Sequence, residues 1–338
     1  MKIYHHLSEF KKLTNAVVTI GTFDGVHYGH QKIIKRLCEL AKLSGGESVI
    51  LTFFPHPRMI IDPENQSLKM INTIKEKAEI LANLGVDHLI ITPFTRDFSN
   101  LCAADYIKNI LVDTIGTKQL IVGYDHRFGK DRQGGMNDLE DYAKVYDFKI
   151  EEIPEQDVND VAVSSTKIRT ALLAGDVSLA ATYLGYPFSI NGPVIKGDKI
   201  GRTIGYPTAN IFVEETYKLI PGDGIYAVTV EMSLKSAVDS PESISASKSR
   251  LKTEESRLKT YQGMAYIGQR PTINGMTRNI EVNIFDFSQE IYGQTIKMNF
   301  LKFLRHDVKF TGLDALKEQL YQDKLNTLGF FNQDKKAD

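Results

Sequence analysis

The chain has 338 residues, of which 42% are apolar and 25% charged, and its formal net charge at pH 7 is −1. This composition is typical of a soluble globular protein, and the length favours two domains. The near-zero charge excludes an overall basic field for nucleic acid or an anionic membrane. Only two cysteines occur, Cys38 and Cys102, without CxxC spacing. The sequence therefore argues against a disulfide framework or a cysteine-based zinc site and favours a reducing compartment.

No apolar run approaches the ~20 residues that would span a bilayer. The first residues, MKIYHHLSEFKKL, have no apolar core of signal-peptide length. We therefore expect a cytoplasmic protein that has no membrane partner.

Short apolar runs alternate with helical patterns in the first half of the chain. The runs are AVVTIG (16–21), SVILTFF (48–54), HLIITPF (88–94), QLIVGY (119–124) and FKIEEIP (148–154). The stretches between them have apolar residues at helical spacing, and two more helical segments follow at 165–174 and 176–184. This alternation predicts βαβ units and a parallel sheet that is covered on both faces.

The pattern changes near YLGYPF (183–188), after which six short alternating strands are separated by glycine-containing turns. Such strands predict a small β-barrel. A last helix, over about 312–327, has Leu313, Leu316, Leu320 and Leu325 on an apolar face that would cap or flank the barrel. The predicted domains are residues 1–184 and 185–332.

Residues 233–260 differ from the rest in composition, being rich in Ser, Lys and Glu. The pentapeptide SRLKT occurs twice within them, at 249–253 and 256–260. Such a segment buries too little apolar surface to order itself, so we predict a disordered hairpin insertion. A partner-binding arm is the functional alternative.

The segment GTFDGVHYGH (21–30) connects the first predicted strand to the first helix. Ligands bind at that edge of an open α/β sheet, and helix N-termini attract phosphate. Gly21, Gly25 and Gly29 allow a ligand close to the backbone, and His27 and His30 could donate hydrogen bonds to phosphate. A metal pair and a purely structural loop remain as alternatives, although a metal would need a third ligand.

Two further segments of the first half carry polar side chains. In VSSTKIR (163–169) the hydroxyl groups could cap a helix. Lys167 and Arg169 in its first turns oppose the helix dipole, which favours a polyphosphate partner. The segment GYDHRFGK (123–130) is not a P-loop, because five residues separate its glycines and Asp131 follows its lysine. We expect this loop to position adenosine through Asp125 and Arg132.

The second half contains GDKIGRTIGYPTANI (197–211), which combines three glycines with a PTAN tetrapeptide. Thr208 and Asn210 share one face of the strand that PTAN opens, and their oxygens are hard ligands that suit Mg²⁺. A plain glycine turn is the alternative. Glu281, in the alternating strand IEVNIFDF (280–287), could be a general base or a surface residue.

Taken in order, these motifs resemble those of the bacterial bifunctional riboflavin kinase/FAD synthetase family. GTFDGVHYGHQ resembles the (H/T)xGH signature of nucleotidyltransferases. The other matching segments are TFFPHPR (52–58), VGYDHRFGKDRQG (122–134), VSSTKIR (163–169), GDKIGRTIGYPTANI (197–211), YIGQRPTING (266–275), IEVNIFDF (280–287) and FLRHDVKF (303–310). The chain departs from the family pattern at His126 in place of Phe, at Asn283 in place of His, and in the 233–260 insertion.

The resemblance implies the fold and the activity. It implies an α/β nucleotidyltransferase-type, Rossmann-like domain with a parallel sheet, followed by a six-stranded β-barrel riboflavin kinase domain with a C-terminal helix. The implied activities are phosphorylation of riboflavin to FMN by ATP and adenylylation of FMN to FAD. The small-molecule partners would be riboflavin, FMN and ATP, with Mg²⁺ as cofactor and FMN and FAD as products. We expect no nucleic-acid partner and a monomer or weak oligomer.

The resemblance also implies roles for individual residues. The catalytic residues would be His27, His30 and Arg169 in the first domain and Glu281 in the second. The ATP and phosphate site of the adenylyltransferase would include Gly21, Phe23, Asp24, Gly29, Asp125, Arg132, Ser164, Ser165 and Thr166. The corresponding kinase site would include Gly197, Gly201, Arg202, Gly205, Pro207 and Thr208, with Thr208 and Asn210 as metal ligands. Flavin-binding candidates are Pro55, His56, Pro57, Arg270 and Arg305.

Three other functions compete with this one. The barrel could bind a different substrate beside a nucleotidyltransferase, or it could bind oligonucleotides, as small barrels often do. The near-neutral charge and the absence of Trp argue against the oligonucleotide alternative. An oxidoreductase that merely holds flavin would leave two phosphate-type motifs unexplained.

Overall fold

The computed structural model describes residues 1–62, 64, 68–124, 127–130, 133–154, 157–158, 161–197, 199–233, 258–273 and 276–334. The chain forms two compact units. The first comprises Met1–Arg169, Thr182–Gly185 and Tyr217–Leu219. The second comprises Thr170–Ala181, Tyr186–Thr216 and Ile220–Asp338. A three-residue segment from the second half of the sequence therefore belongs to the first unit.

The first unit is built on a six-stranded parallel sheet in the order β1-β4-β3-β2-β5-β6. Its strands are β1 (Lys2–Tyr4), β2 (Ala16–Ile20), β3 (Glu47–Phe53), β4 (His88–Thr92), β5 (Thr117–Gly123) and β6 (Lys149–Ile153). The helices are α1 (Tyr28–Ser44), α2 (Pro57–Ile61), α3 (Ile74–Asn83), α4 (Arg96–Ser99), α5 (Ala103–Asp105) and α6 (Met136–Tyr146). The predicted α/β fold with a parallel sheet is confirmed. The first strand, β1, was not predicted because three residues are too short to show a periodicity.

The continuous apolar runs are explained by burial on both faces of this sheet. All five residues of β2 are buried, and successive side chains point to opposite faces. Val18 and Ile20 pack into a core with Val49 and Leu51, whereas Val17 packs with Ile50 in a second core. A strand that is covered on both faces needs no polar alternation.

The stretch between the runs at 88–94 and 119–124, where helical spacing predicts a helix, contains a π-helix, Tyr106–Ile115. Its apolar residues Tyr106, Ile107, Ile110 and Leu111 are buried, so the helical spacing identified the inward face correctly. A two-residue ladder, β7 (Asp157–Val158) and β8 (Val161–Ala162), precedes α7 (Ser165–Leu173). The division between the two units falls within α7.

The second unit is built on a closed antiparallel barrel of six strands in the order β10-β13-β12-β11-β14-β9. The strands are β9 (Ser189–Ile195), β10 (Ala209–Ile211), β11 (Gly224–Ser233), β12 (Leu258–Ile273), β13 (Met276–Ile284) and β14 (Thr295–Arg305). The other α-helices among the described residues are α8 (Val177–Leu184), α9 (Ile200–Thr203) and α10 (Leu313–Asp334), and a short 3-10 helix, Leu7–Glu9, follows β1. The predicted six-stranded barrel with a C-terminal helix is confirmed.

The bounds predicted for the insertion at 233–260 are too wide. Ser233 pairs with Leu258, Met232 with Lys259 and Glu231 with Thr260 in the β11–β12 ladder. Strands β11 and β12 therefore extend into the ends of the polar segment, and the composition of that segment did not predict this extension. The predicted disorder of 234–257 lies outside the described residues.

The apolar face predicted for the C-terminal helix is correct only in part. Leu316 and Leu320 are half-buried, at helical spacing from the buried residues Asp323, Thr327 and Phe331, whereas Leu313 and Leu325 are exposed. The guanidinium of Arg305 donates two hydrogen bonds to the Asp323 carboxylate, at 2.8 and 2.6 Å. This ion pair makes a charged position part of the buried face, so a pattern of leucines alone identified that face incompletely.

Candidate active sites

In the first unit, the turn after β2 places two histidines at the start of α1. His27 is the N-cap of that helix, and its Nδ1 accepts the backbone N–H of His30 at 3.5 Å. The two imidazole rings stack with centroids 3.6 Å apart. Phe23 and Val26 have φ values of 44° and 34°, which residues other than glycine rarely adopt. Backbone conformations of this kind cluster at functional sites. The turn lies at the C-terminal edge of the sheet, where phosphate ligands bind in such folds.

Both histidines are neutral at pH 7. Burial and the nearby Arg169 charge lower the pKa of His27 to about 4. Burial, His27 and Lys77 lower the pKa of His30 well below its usual value. The Nδ1 atom of His30 is buried and has no hydrogen-bond partner in the described part of the chain. Neutral rings can each donate one hydrogen bond to a phosphate oxygen without a buried charge in the free enzyme.

Asp24 forms a buried ion pair at this site. Its carboxylate accepts Nη2 of Arg169 at 2.5 Å and the backbone N–H of Ile71 at 3.0 Å. The side chain of Asp24 is 2% exposed and that of Arg169 is 13% exposed. Nε of Arg169 also donates to the carbonyl of Lys69 at 2.9 Å. The two predicted residues are brought together across 145 positions of sequence, and the Arg169 charge lies close enough to His27 to lower its pKa.

The helix start at Ser164–Thr166 serves this site as a scaffold. Oγ of Ser164 accepts the N–H of Lys167 at 3.3 Å, which is a cap, and Oγ of Ser165 donates to the carbonyl of Asp24 at 2.9 Å. Lys167 donates to the carbonyl of Ala162 at 2.7 Å. Thr166 is exposed in the first turn of α7. Of the two cations predicted to meet a polyphosphate, only Arg169 is joined to the Asp24 cluster by a hydrogen bond.

Lys77 belongs to the same cluster, although the sequence analysis missed it. It is 5% exposed and its Nζ donates to the carbonyl of Thr22 at 2.6 Å. Burial lowers its pKa to about 8, against the opposing effect of Asp24. It lies in the first turn of α3, where a lysine in an amphipathic pattern suggests only a solvated face. A buried lysine can be identified only from the fold.

The segment TFFPHPR also lies near these charges. The bond Phe54–Pro55 is cis, Pro57 is the first residue of α2, and His56 is its N-cap. Burial, then Arg169 and Lys77, lower the pKa of His56 to about 4. The structure therefore brings a third neutral imidazole close to the Arg169 and Lys77 charges.

The predicted adenosine contacts Asp125 and Arg132 lie outside the described residues. At the ends of β5 and β6 is a cavity of about 510 Å³. Its polar lining includes Tyr124, Arg127, Asn137, Asp138 and Glu152. The turn at residues 21–30, which carries His27 and His30, is called the histidine turn. Because β5 is adjacent to β2 in the sheet, the cavity and the histidine turn follow neighbouring strands.

In the second unit, Glu281 is the centre of a polar cluster. One carboxylate oxygen accepts the hydroxyl of Thr208 at 2.8 Å, and the other accepts Nδ2 of Asn279 at 2.6 Å. Asn210 is directly opposite Glu281 in the β10–β13 ladder, so the two side chains share a face. Nδ2 of Asn283 donates to the carbonyl of Pro207 at 2.7 Å, which fixes the entry to β10. Asn279 was missed, although its position two residues before Glu281 could have identified it.

The glycines of GDKIGRTIGYP allow close approach around this cluster. A Cβ on Gly197 would lie 2.4 Å from Nδ2 of Asn210, so a larger residue there would displace the Asn210 side chain. Gly205 has φ of +88°, which favours glycine. Gly201 follows the first residue of α9, while Arg202 and Pro207 are exposed.

The donor set beside Glu281 fits Mg²⁺. The hydroxyl oxygen of Thr208 keeps lone pairs after donating to Glu281, and Asn210 supplies an amide oxygen. The Oδ1 atom of Asn279 is buried without a hydrogen-bond partner among the described residues. Hard oxygen ligands of this kind suit Mg²⁺. Among the described residues, no group of three or more His, Cys, Asp or Glu side chains could hold a metal ion.

Arg270 and Arg305 are the two arginines that were predicted to contact flavin. The side chain of Arg270 lies outside the described set. Arg305 uses Nε and Nη2 for Asp323 and donates Nη1 to the carbonyl of His306 at 2.9 Å. This arrangement explains Arg305 as the anchor of α10, and its contact with flavin stays a prediction.

The first unit has a parallel sheet with the buried Asp24–Arg169 pair at the edge where such folds bind ligands. The second unit has a closed barrel in which the carboxylate of Glu281 accepts two hydrogen bonds. Together these features are typical of a transferase of phosphate-containing groups. The FAD synthetase family model matches residues 9–167, and the riboflavin kinase model matches residues 184–331. The chain belongs to the bifunctional riboflavin kinase/FMN adenylyltransferase family.

Relatives with that name align over nearly the whole chain. The protein of Listeria monocytogenes is 38% identical over 94% of this chain and 93% of its own length. The protein of Haemophilus influenzae is 36% identical over 95% and 96%, respectively. A solved structure titled macrolide-efflux protein from Streptococcus pneumoniae has a TM-score of 0.82 and 30% identity, covering 96% of this chain and 98% of that one.

The chain is thus a bifunctional enzyme of flavin cofactor synthesis. It phosphorylates riboflavin to FMN with ATP and adenylylates FMN to FAD with release of pyrophosphate. The predicted family, fold and activities are confirmed. No helix among the described residues is both long and apolar enough to cross a membrane.

Proposed function

We propose that the Asp24–Arg169 cluster of the first unit performs adenylyl transfer, and that the Glu281 cluster of the second unit performs riboflavin phosphorylation. The observation that supports this is that each unit contains a carboxylate fixed by side chains or backbone groups from distant segments. Each cluster also coincides with a sequence motif of the matching family. The two reactions then have separate chemistry and can be removed one at a time.

In adenylyl transfer, a phosphate oxygen of FMN attacks the α-phosphorus of ATP, and pyrophosphate leaves. His27 and His30 donate hydrogen bonds to the phosphate oxygens, and Arg169 and Lys77 supply positive charge where negative charge accumulates. The low pKa of His27 supports this role, because a neutral ring is already a donor at pH 7. No covalent enzyme intermediate is needed, so fixed geometry is the main contribution of the protein.

In riboflavin phosphorylation, Glu281 accepts the proton of the ribityl hydroxyl as that oxygen attacks the γ-phosphorus of ATP, the bond from that phosphorus to the β–γ bridging oxygen breaks, and ADP leaves. Thr208 and Asn279 hold the two carboxylate oxygens and so orient the base. Thr208 and Asn210 would hold Mg²⁺. When bound, the ion supplies charge neutralisation at the phosphates. Gly197, Gly201 and Gly205 let the ATP phosphates approach the backbone.

Three finer assignments accompany this proposal. Pro55, His56 and Pro57 bind FMN, which the position of His56 near Arg169 supports. Cys38 and Cys102 are free thiols, which suits a reducing compartment such as the cytoplasm. The enzyme acts as a monomer or weak oligomer.

The test uses the full chain with riboflavin or FMN, ATP and MgCl₂, with the flavins separated by chromatography. Glu281→Gln should lower FMN formation by about 10² to 10⁴-fold, the range for loss of a general base, and leave FAD formation from supplied FMN intact. His30→Ala should do the reverse, lowering FAD formation by about 10²-fold so that FMN accumulates.

Glu290→Gln is the matched control, because Glu290 is an exposed carboxylate of the same unit and should leave both reactions unchanged. If either site variant removes both activities while circular dichroism shows a folded protein, the assignment of one reaction to each unit is wrong.

A further inference from the structure

The segment Tyr217–Leu219 is part of the first unit although it lies far along the sequence. The N–H of Met70 donates to the carbonyl of Tyr217 at 2.7 Å, and the N–H of Leu219 donates to the carbonyl of Met70 at 2.8 Å. The ring of Tyr217 packs on Phe54 with centroids 5.0 Å apart. These contacts place the residue between them, Lys218, in the interior of the unit.

Lys218 is a buried cation with two strong acceptors. It is 3% exposed, and its Nζ donates to the carbonyl of Ile71 at 2.7 Å and to Oε2 of Glu76 at 2.6 Å. Glu76 is itself 4% exposed. Burying such a pair is costly, and a hydrophobic pair of the same size is often as stable. The pair therefore needs an explanation other than stability alone.

The backbone that Lys218 contacts at Ile71 is hydrogen-bonded to the Asp24–Arg169 cluster. Ile71 accepts Lys218 through its carbonyl and donates its N–H to Asp24, at 3.0 Å. The same stretch supplies the Lys69 carbonyl that accepts Nε of Arg169. Lys218 thus holds the same backbone segment that holds both members of the Asp24–Arg169 pair.

The second acceptor joins Lys218 to Lys77. Glu76 and Thr73 form a reciprocal capping box at the start of α3, with hydrogen bonds of 2.8 and 3.1 Å. Lys77 is the next residue, and its Nζ donates to the carbonyl of Thr22 at 2.6 Å in the histidine turn. A displaced Glu76 would move the first turn of α3 and with it the Lys77 ammonium.

We propose that Lys218 is a positioning residue for adenylyl transfer, holding residues 69–72 and the start of α3 so that Arg169 and Lys77 keep their places beside the histidine turn. This rests on the proposed function, because it takes Arg169 as a phosphate-binding group. Lys218 lies in the sequence range that matches the riboflavin kinase model, yet it belongs to the first unit and supports the reaction proposed for that unit.

The test compares Lys218→Met with Lys218→Met/Glu76→Gln in the full chain. The double variant removes both charges, so no unpaired carboxylate stays buried. We expect kcat for FAD formation from FMN and ATP to fall by about 10- to 100-fold in both, since small misplacements of catalytic groups cost that much. Riboflavin phosphorylation, measured in the same preparation, should stay within about twofold. Lys317→Met, at an exposed lysine of α10, should leave both rates unchanged.

A double-mutant cycle with Arg169→Ala separates positioning from general stabilisation. If Lys218 acts through Arg169, the loss of kcat/KM caused by Arg169→Ala should be at least about fivefold smaller in the Lys218→Met background, because groups in one network are not additive. Strict additivity in the cycle overturns the proposal. So does a deficit that disappears at 10 °C, where the variant is fully folded, or a double variant that fails to fold.

Failure of this proposal is distinguishable from failure of the proposed function. If Arg169→Ala alone leaves FAD formation intact, the site assignment fails. If Arg169→Ala is inactive and Lys218→Met behaves as wild type, only the role of Lys218 is overturned.

Discussion

The two polar clusters are held in different ways. In the first unit, Asp24, Arg169 and Lys77 are charges removed from water, and each is fixed by backbone groups of loops or helix starts. In the second unit, Glu281 is half-buried on a strand and is held by neighbours from the same barrel face. Buried charge makes the first cluster sensitive to any unpaired partner. The second depends on strand register and on backbone conformation at glycines.

The largest expected change in stability comes from a substitution that disrupts the first cluster only. Asp24→Ala would leave the Arg169 guanidinium, whose side chain is 13% exposed, without its counter-charge. We expect a loss of about 3–5 kcal/mol in the free energy of unfolding of the first unit. Urea unfolding followed by a probe in each unit measures this. Asp141→Ala removes an exposed ion pair with Lys144 and should cost about 0.5 kcal/mol or less; equal losses would contradict the comparison.

The pH dependence of the free energy of unfolding is a second way to compare the two units. His27 has a pKa of about 4 in the folded protein and 6.5 when exposed, so between these values the unfolded chain binds a proton that the folded chain does not. The free energy of unfolding therefore falls as pH drops from about 6.5 to 4, by about 3 kcal/mol from this residue. Unfolding measured at pH 7, 5.5 and 4.5 tests the slope.

The variant His27→Asn should reduce that slope while keeping a good N-cap for α1. His306 is a histidine of the second unit, and the same substitution there serves as the control. A slope that is identical in His27→Asn and in the wild type would show that this histidine is not buried in its neutral form.

The smallest expected effect concerns the second cluster. Gly205 has φ of +88° with open space around its Cα, so Gly205→Ala strains only the backbone. We expect a loss of about 1–2 kcal/mol in the stability of the barrel unit and a raised KM for ATP in riboflavin phosphorylation, with FAD formation unchanged. In Gly312→Ala, where the backbone is not left-handed and nothing lies within 4 Å, stability and both activities should be retained. A change in FAD formation in the Gly205 variant would argue against separate sites.

Much of the fold was predictable because each half has one consistent periodicity. Fully buried strands such as β2 read as continuous apolar runs, and the barrel strands read as alternation with glycine turns. The exceptions are local. Strand β1 is too short, and the buried face of α10 is organised by Asp323, a charged residue that hydrophobic periodicity ignores.

The sequence by itself determined the two-unit architecture, the histidine turn and the PTAN strand, and it made Glu281 a candidate site residue, because motif residues lie next to elements that periodicity locates. Only the tertiary structure decided that Arg169 pairs with Asp24, that Lys77 is buried and that Lys218 lies in the first unit. The physical reason is that the burial of a charge depends on partners far away in the sequence. The residues next to a lysine or arginine in the chain do not show which partners these are. Residue type and spacing specify local geometry, whereas the electrostatics of the site arise from long-range contacts.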